Sequence, residues 1–64
     1  MDYSKAEQFR DAGFVPGSFV RNPDEPDWGL GQVQSVVGHR VTVNFEERGK
    51  LLINTAVVTL VAAE

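Results

Sequence analysis

The chain has 64 residues, one His, no Cys, and six Lys and Arg against nine Asp and Glu, for a formal net charge of −3. This excludes disulfides, thiolate metal sites and a His-rich metal cluster, since such clusters need several converging Cys or His ligands. So short a domain buries only about 60% of the surface its unfolded chain exposes, so its 42% hydrophobic residues must supply one compact core, and association is the remaining source of stability.

Asp2 to Gly13 reads as a short helix. Ser4 with Glu7 three residues on is a capping-box pattern, Ala6 and Phe9 fall near one face, and Gly13 is a stop signal. The apolar face is thin and a helix this short is marginal alone, so Phe9 docks or the segment frays. Residues 1–15 are therefore assigned to a short helical or flexible N-terminal segment, and residues 16–64 to the folded domain.

Pro16-Gly17 is a turn signal, and Ser18 to Arg21 follows as a first strand. Phe19 and Arg21 point to one side, Ser18 and Val20 to the other. Pro23 and Pro26 cannot sit in a central strand, so Asn22 to Trp28 is a loop. From Gly31, "GQVQSVV" sets Gln32 and Gln34 on one face and Val33 on the other. The alternation breaks at Val36 and Val37, which predicts a bulge or a strong bend. "GHR" is a tight turn. In "VTVNFE", Val41, Val43 and Phe45 alternate with Thr42, Asn44 and Glu46, the clearest half-buried strand of the chain. "ERG" is the next turn, with Gly49 suited to a left-handed position. "KLLIN" is a fourth strand with Leu51 and Ile53 on one face. "TAVVTLV" holds a short link and a last strand in which Val58 and Leu60 share a face.

Five short strands joined by tight turns make an antiparallel meander, and a flat sheet of this size would leave one apolar face wet. Rolling it into a small barrel buries Val20, Val33, Val41, Val43, Phe45, Leu51, Ile53, Val58 and Leu60 together. The expected fold is all-β, a small five-stranded antiparallel SH3-like or Tudor-like barrel preceded by the N-terminal segment.

The residues that stand out have structural explanations beside functional ones. Gly29-x-Gly31 leads into a strand, whereas phosphate-cradling glycine loops open a helix. The expectation is that Gly31 bends the backbone and Gly29 relieves crowding beside Trp28. Trp28, the only Trp, is first a plug for one end of the core and second a contact surface, because Trp is enriched at interface hot spots. With Phe19 and Phe45 assigned wholly or partly to the core, Trp28 and the acids Asp24, Glu25 and Asp27 do not make an aromatic cage. His39, Arg40, Arg48 and Lys50 would form a basic cluster if two hairpin ends met. Otherwise Arg40 and Lys50 are solvent-face partners of Glu46 or Glu47. No nucleophile, base and orienting group fall together, so an enzyme is not expected, and no cofactor or metal is.

"MDYSKAEQF" lacks a basic region followed by an apolar one, so no secretory signal is expected. "AVVTLVAA" is far shorter than the roughly 20 residues that span a bilayer. A cytoplasmic protein without membrane contact is the expectation. Net acidity disfavours nucleic-acid binding, which relies on clustered Lys and Arg.

The order "PGSFVRNP", "DWGLGQVQSVVGHRVTVNFEERGKLLI" and "VVTLV" resembles a family of small bacterial proteins, typical of alphaproteobacteria, whose domain has no assigned function. The resemblance covers Pro16 to about Val61. More distantly, Val20-Arg21 and Trp28-Gly29-Leu30-Gly31-Gln32-Val33 resemble the C-terminal Tudor-like domains of UvrD/PcrA-type helicases and the domains of CarD-like regulators. In those groups the domain docks on RNA polymerase. Here Trp stands where Phe is usual, and the preceding loop is longer and acidic.

The expected function is a non-enzymatic interaction module that binds another protein. The resemblance implies a partner such as RNA polymerase or a repair factor. The candidate binding residues are Trp28 as anchor, Gln32 and Gln34 as outward polar contacts, and Arg40 and Lys50 as charge guides. One alternative is single-stranded nucleic-acid binding on the barrel face, with Trp28 stacking a base. Another is a self-associating structural domain, since the edges of so small a sheet invite pairing, although a monomer is favoured.

Overall fold

A computed structural model describes residues 14–63. The helix expected over Asp2 to Gly13 lies outside the described residues. Five strands, β1 (Phe19–Arg21), β2 (Gly31–Val37), β3 (Arg40–Phe45), β4 (Gly49–Asn54) and β5 (Val61–Ala62), form one sheet in the order β4-β3-β2-β1-β5. Every pairing is antiparallel. This is the expected all-β, SH3-like arrangement, but the sheet is not closed. β4 and β5 are its edges and do not pair with each other.

The turns follow from residue chemistry. Pro16 and Gly17 occupy the two central positions of the Val15–Ser18 turn. Gly17 takes φ +96°, and the Ser18 N–H donates to the Val15 carbonyl at 3.0 Å. That is the type II pattern, in which Pro fixes the second residue and only the third needs positive φ. Gly38, at φ +59°, turns β2 into β3 as the first residue of a two-residue hairpin loop, where a positive φ matches the strand twist. Gly49 opens β4 at φ +88°, the left-handed position expected of it.

The irregularity in β2 is a bulge, placed upstream of Val36 and Val37. Val33 pairs with Val43 and Ser35 with Thr42, so Gln34 is the extra residue. Gln34 and Ser35 are both exposed, and Val36 turns back toward the core. Two inward valines three positions apart cannot share a face of a regular strand, whose side chains alternate with period two. One added residue between them restores the phase.

The last strand starts later than its sequence suggests and holds neither Val58 nor Leu60. Asn54 holds residues 55–58 in a turn: its carbonyl accepts the Val57 and Val58 N–H groups at 3.0 and 2.9 Å, and its Oδ1 accepts the Ala56 N–H at 2.9 Å. Local side-chain bonds of this kind compete with strand pairing, so β5 is left with two residues against β1.

The core cluster is Val20, Val33, Val41, Val43, Phe45, Ile53 and Leu60, with Phe14, Trp28, Val36, Leu51 and Val58 packed partly buried against it. All nine expected core residues are among these twelve. Each fully buried aliphatic or aromatic side chain contributes about 1.5–3 kcal/mol. No helix among the described residues is long and apolar enough to cross a membrane.

Candidate functional site

The loop between β1 and β2 is folded on itself. Asn22 is buried, with 3% of its surface exposed. Its Oδ1 accepts the Asp24 N–H at 2.9 Å, and its carbonyl accepts the Glu25 N–H at 3.0 Å. Such a side-chain turn is the usual work of Asn. Pro26–Trp28 then forms one turn of 3-10 helix, with Pro at a first-turn position where its missing N–H costs nothing. The Glu47 N–H donates to the Trp28 carbonyl at 2.9 Å and the Glu46 N–H to the Leu30 carbonyl at 2.8 Å. The loop is thereby fixed to the β3–β4 turn.

That docking sets Trp28 against Phe45, with ring centroids 5.1 Å apart and planes tilted by 60°. The Arg48 guanidinium lies 5.8 Å from the centre of the same Trp28 ring, within cation–π reach. Trp28 is therefore half-buried and engaged by two neighbours. The plug role expected of it holds. Asp24, Glu25 and Asp27 are all exposed around it.

The two glycines beside Trp28 exchange their expected roles. Gly29 makes the bend, at φ +77° and ψ −162°, a region open essentially to Gly alone. Gly31 makes the room: a Cβ there would stand 2.5 Å from Val43 Cγ1 and 2.7 Å from the Phe45 ring.

The other candidates lie on the outward face of the sheet. Phe19 pairs with Gln32, Gln32 with Asn44, and Asn44 with Lys50. These four residues form one row across β1, β2, β3 and β4. Gln34 sits on the bulge, where its Nε2 donates to the Gln32 carbonyl at 3.4 Å. Arg40 lies opposite Asn54 and Val37. It is four residues along β3 from Asn44 and so about 13 Å from the Lys50 row at ~3.3 Å per residue.

Two expectations are corrected here. The basic cluster does not form, because His39-Arg40 and Arg48-Lys50 lie at opposite ends of β3, and Arg48 turns to Trp28. Phe19 is not a core residue: 41% of it is exposed. Val20 takes the inward position of the three-residue β1, and strand alternation places Phe19 outside.

Two adjoining concavities meet at Phe19. The larger, about 580 Å³, is lined among the described residues by Phe19, Arg21, Leu30 and Ala63. The smaller, about 190 Å³, is lined by Phe19, Leu30, Gly31, Gln32, Asn44 and Glu46. Phe19 and Leu30 are the shared wall. Alternation with the inward Val20 is the signal that could have placed Phe19 outside. Leu30 carried no signal, because its placement depends on the loop being pinned to the β3–β4 turn.

Charge is unevenly spread. Arg21, Arg40 and Lys50 are exposed on the strands, while Asp24, Glu25, Asp27, Glu46 and Glu47 sit in the loop and turn at one end, with Arg48 among them. An apolar notch beside polar amides, on a face with its own charges, can hold an extended polymer. Among the described residues no three His, Asp or Glu converge to hold a metal ion.

No curated protein and no solved structure matches the chain. A family model described as a protein of unknown function (DUF3553) matches residues 14–63, so the chain belongs to the DUF3553 family.

Proposed function

We propose that this domain is a non-enzymatic module that binds another protein on the outward face of its sheet, as a monomer in the cytoplasm. The observation that carries the reading is the exposed Phe19, seated with Leu30 between two concavities on a face that also exposes Val37, Leu52 and Val61. An exposed aromatic in a concave, partly apolar setting is the usual anchor of a protein interface. Phe19 takes the anchor role, with Gln32 beside it as a polar contact and Gln34 further along β2. Arg40 and Lys50 guide the approach of an acidic partner. Trp28 acts from behind, by fixing the loop that presents Leu30. The likeness of Trp28-Gly29-Leu30-Gly31-Gln32-Val33 to the UvrD/PcrA-type and CarD-like domains supports a partner in transcription or DNA repair, with RNA polymerase the first to try.

The test is an amide-shift titration of the isotope-labelled full chain with RNA polymerase subunits and, separately, with a 12-nucleotide oligothymidylate. The expected outcome is shifts centred on Phe19, Leu30 and Gln32 with a polymerase subunit, lost in Phe19→Ala while the spectrum stays dispersed. Shifts with none of the subunits would remove the polymerase as partner. The second reading is single-stranded nucleic acid on the same face, supported by Arg21 beside Phe19 in the larger concavity and by Arg40 and Lys50 elsewhere on the face. Shifts with the oligonucleotide alone, falling steeply with salt, would establish it instead.

A further inference from the structure

The shared wall of Phe19 and Leu30 has opposite charges at its two ends. Arg21 lines the concavity on the β5 side, with Ala63. Glu46 lines the one on the β3 side, with Gln32 and Asn44. An apolar surface flanked by a cation and an anion orients whatever lies on it. Resting on the reading of this face as a protein-binding surface, we propose that its ligand is a short extended peptide segment with three chemical points in order. A carboxylate meets Arg21, an apolar side chain covers Phe19 and Leu30, and a cationic or N–H donor group meets Glu46 and the amides of Gln32 and Asn44.

The spacing follows from the sheet. β1 and β3 are two strand separations apart, about 10 Å, which is about three residues of extended chain. The carboxylate and the donor therefore flank the apolar residue, each within two positions of it.

A peptide fits better than a nucleic acid. Among the described residues Arg21 is the one base lining either concavity, so these residues neutralise one negative charge. A polynucleotide brings a charge with every phosphate, and it would meet Glu46 and, just before Leu30, the acids of the Asn22–Trp28 loop. The bases on the rest of the face, Arg40 and Lys50, attract an acidic segment from a distance without entering the notch.

The experiment is selection of phage-displayed random linear nonapeptides on the immobilised full chain, repeated on Arg21→Glu and Phe19→Ala. The enriched peptide is then titrated against the labelled chain. The expected result is enrichment of an acid within two residues of an apolar side chain, with a base or amide on the far side. Arg21→Glu should exchange that acid for a base, and should weaken the original peptide at least tenfold while binding its charge-swapped version. Phe19→Ala should lose the apolar preference. Arg21 and Phe19 are both exposed, so both variants should keep the fold, which dispersed spectra would check. Enrichment without an acid, or the same peptides on Arg21→Glu, would overturn the proposal. Peptides that shift β4 rather than Phe19 would overturn it and leave the protein-binding reading standing. So would failure of any peptide to enrich while a polymerase subunit still shifts Phe19. Failure of both would sink the two readings together.

Discussion

The Trp28 ring packs on the Phe45 ring at 5.1 Å between centroids, and Phe45 is itself fully enclosed by the core. The contact ties an acidic loop to the sheet through two apolar surfaces. Trp28→Ala should therefore lower stability, by about 2–4 kcal/mol, at or below the usual range for a large aromatic because the ring is only half-buried. A domain of this size has a total of only about 3–5 kcal/mol from its core, so a large fraction of the variant should be unfolded at 25 °C. Urea unfolding followed by circular dichroism measures this. Unchanged stability would show that the ring serves a ligand rather than the core.

Gly31 sits on the inward face beneath the same pair. A methyl group there has nowhere to go: Val43 and Phe45 are buried, and the nearest atoms stand at 2.5 and 2.7 Å. Gly31→Ala should cost about 1–3 kcal/mol, the usual price of overpacking a filled core. Since relief requires Phe45 to move, and Trp28 rests on Phe45, the effects of Gly31→Ala and Trp28→Ala should not add. A double-mutant cycle that closes to within about 0.5 kcal/mol would mean that the two sites are independent.

Gly29 gives a different test, one of backbone first, although a Cβ there would also stand 3.3 Å from the Glu46 and Glu47 side chains. Its φ of +77° with ψ near −162° belongs to a region that side chains avoid at a cost of about 1–3 kcal/mol. Gly29→Ala should lose stability in that range. Gly29→Asn should do no better, although Asn tolerates the left-handed helical region, because the ψ here is not the left-handed one. Recovery by Asn in thermal unfolding would mean that the bend is made some other way.

The contrast between these glycines shows what the sequence could and could not disclose. Strand phase was legible because it is local. Val41, Val43 and Phe45 declare their face by alternation, and Gly49 and Pro16-Gly17 declare their turns by chemistry. The broken alternation at Val36 and Val37 likewise declared an irregularity, although only the pairing partners fixed it at Gln34. What could not be read depends on segments that meet from a distance. The loop before β2 is docked by backbone bonds from Glu46 and Glu47 to Leu30 and Trp28, sixteen or more residues away. That docking brings Arg48 to Trp28 and Leu30 beside Phe19. It also decides which glycine bends and which makes room. Trp28 drew attention as the single Trp, yet among the described residues the more exposed aromatic is Phe19, whose outward position follows from its alternation with the inward Val20.

Asn22 is the last residue with a role that its loop position concealed. Its side chain is almost wholly enclosed and accepts the Asp24 N–H at 2.9 Å. Removing the acceptor leaves that donor without its partner, and a buried group left unsatisfied costs about 1–3 kcal/mol. Asp24 itself is exposed, so water recovers part of the loss, and Asn22→Ala should cost about 1 kcal/mol, at the low end of that range. Asn22→Ser should recover some of it, since a hydroxyl makes the same local turn more weakly. Both are read from denaturant midpoints at constant slope. The loop carries Trp28 and Leu30, so amide exchange across residues 22–30 should speed up in Asn22→Ala more than across β3. Equal acceleration everywhere would mean that the loop opens only when the whole domain unfolds.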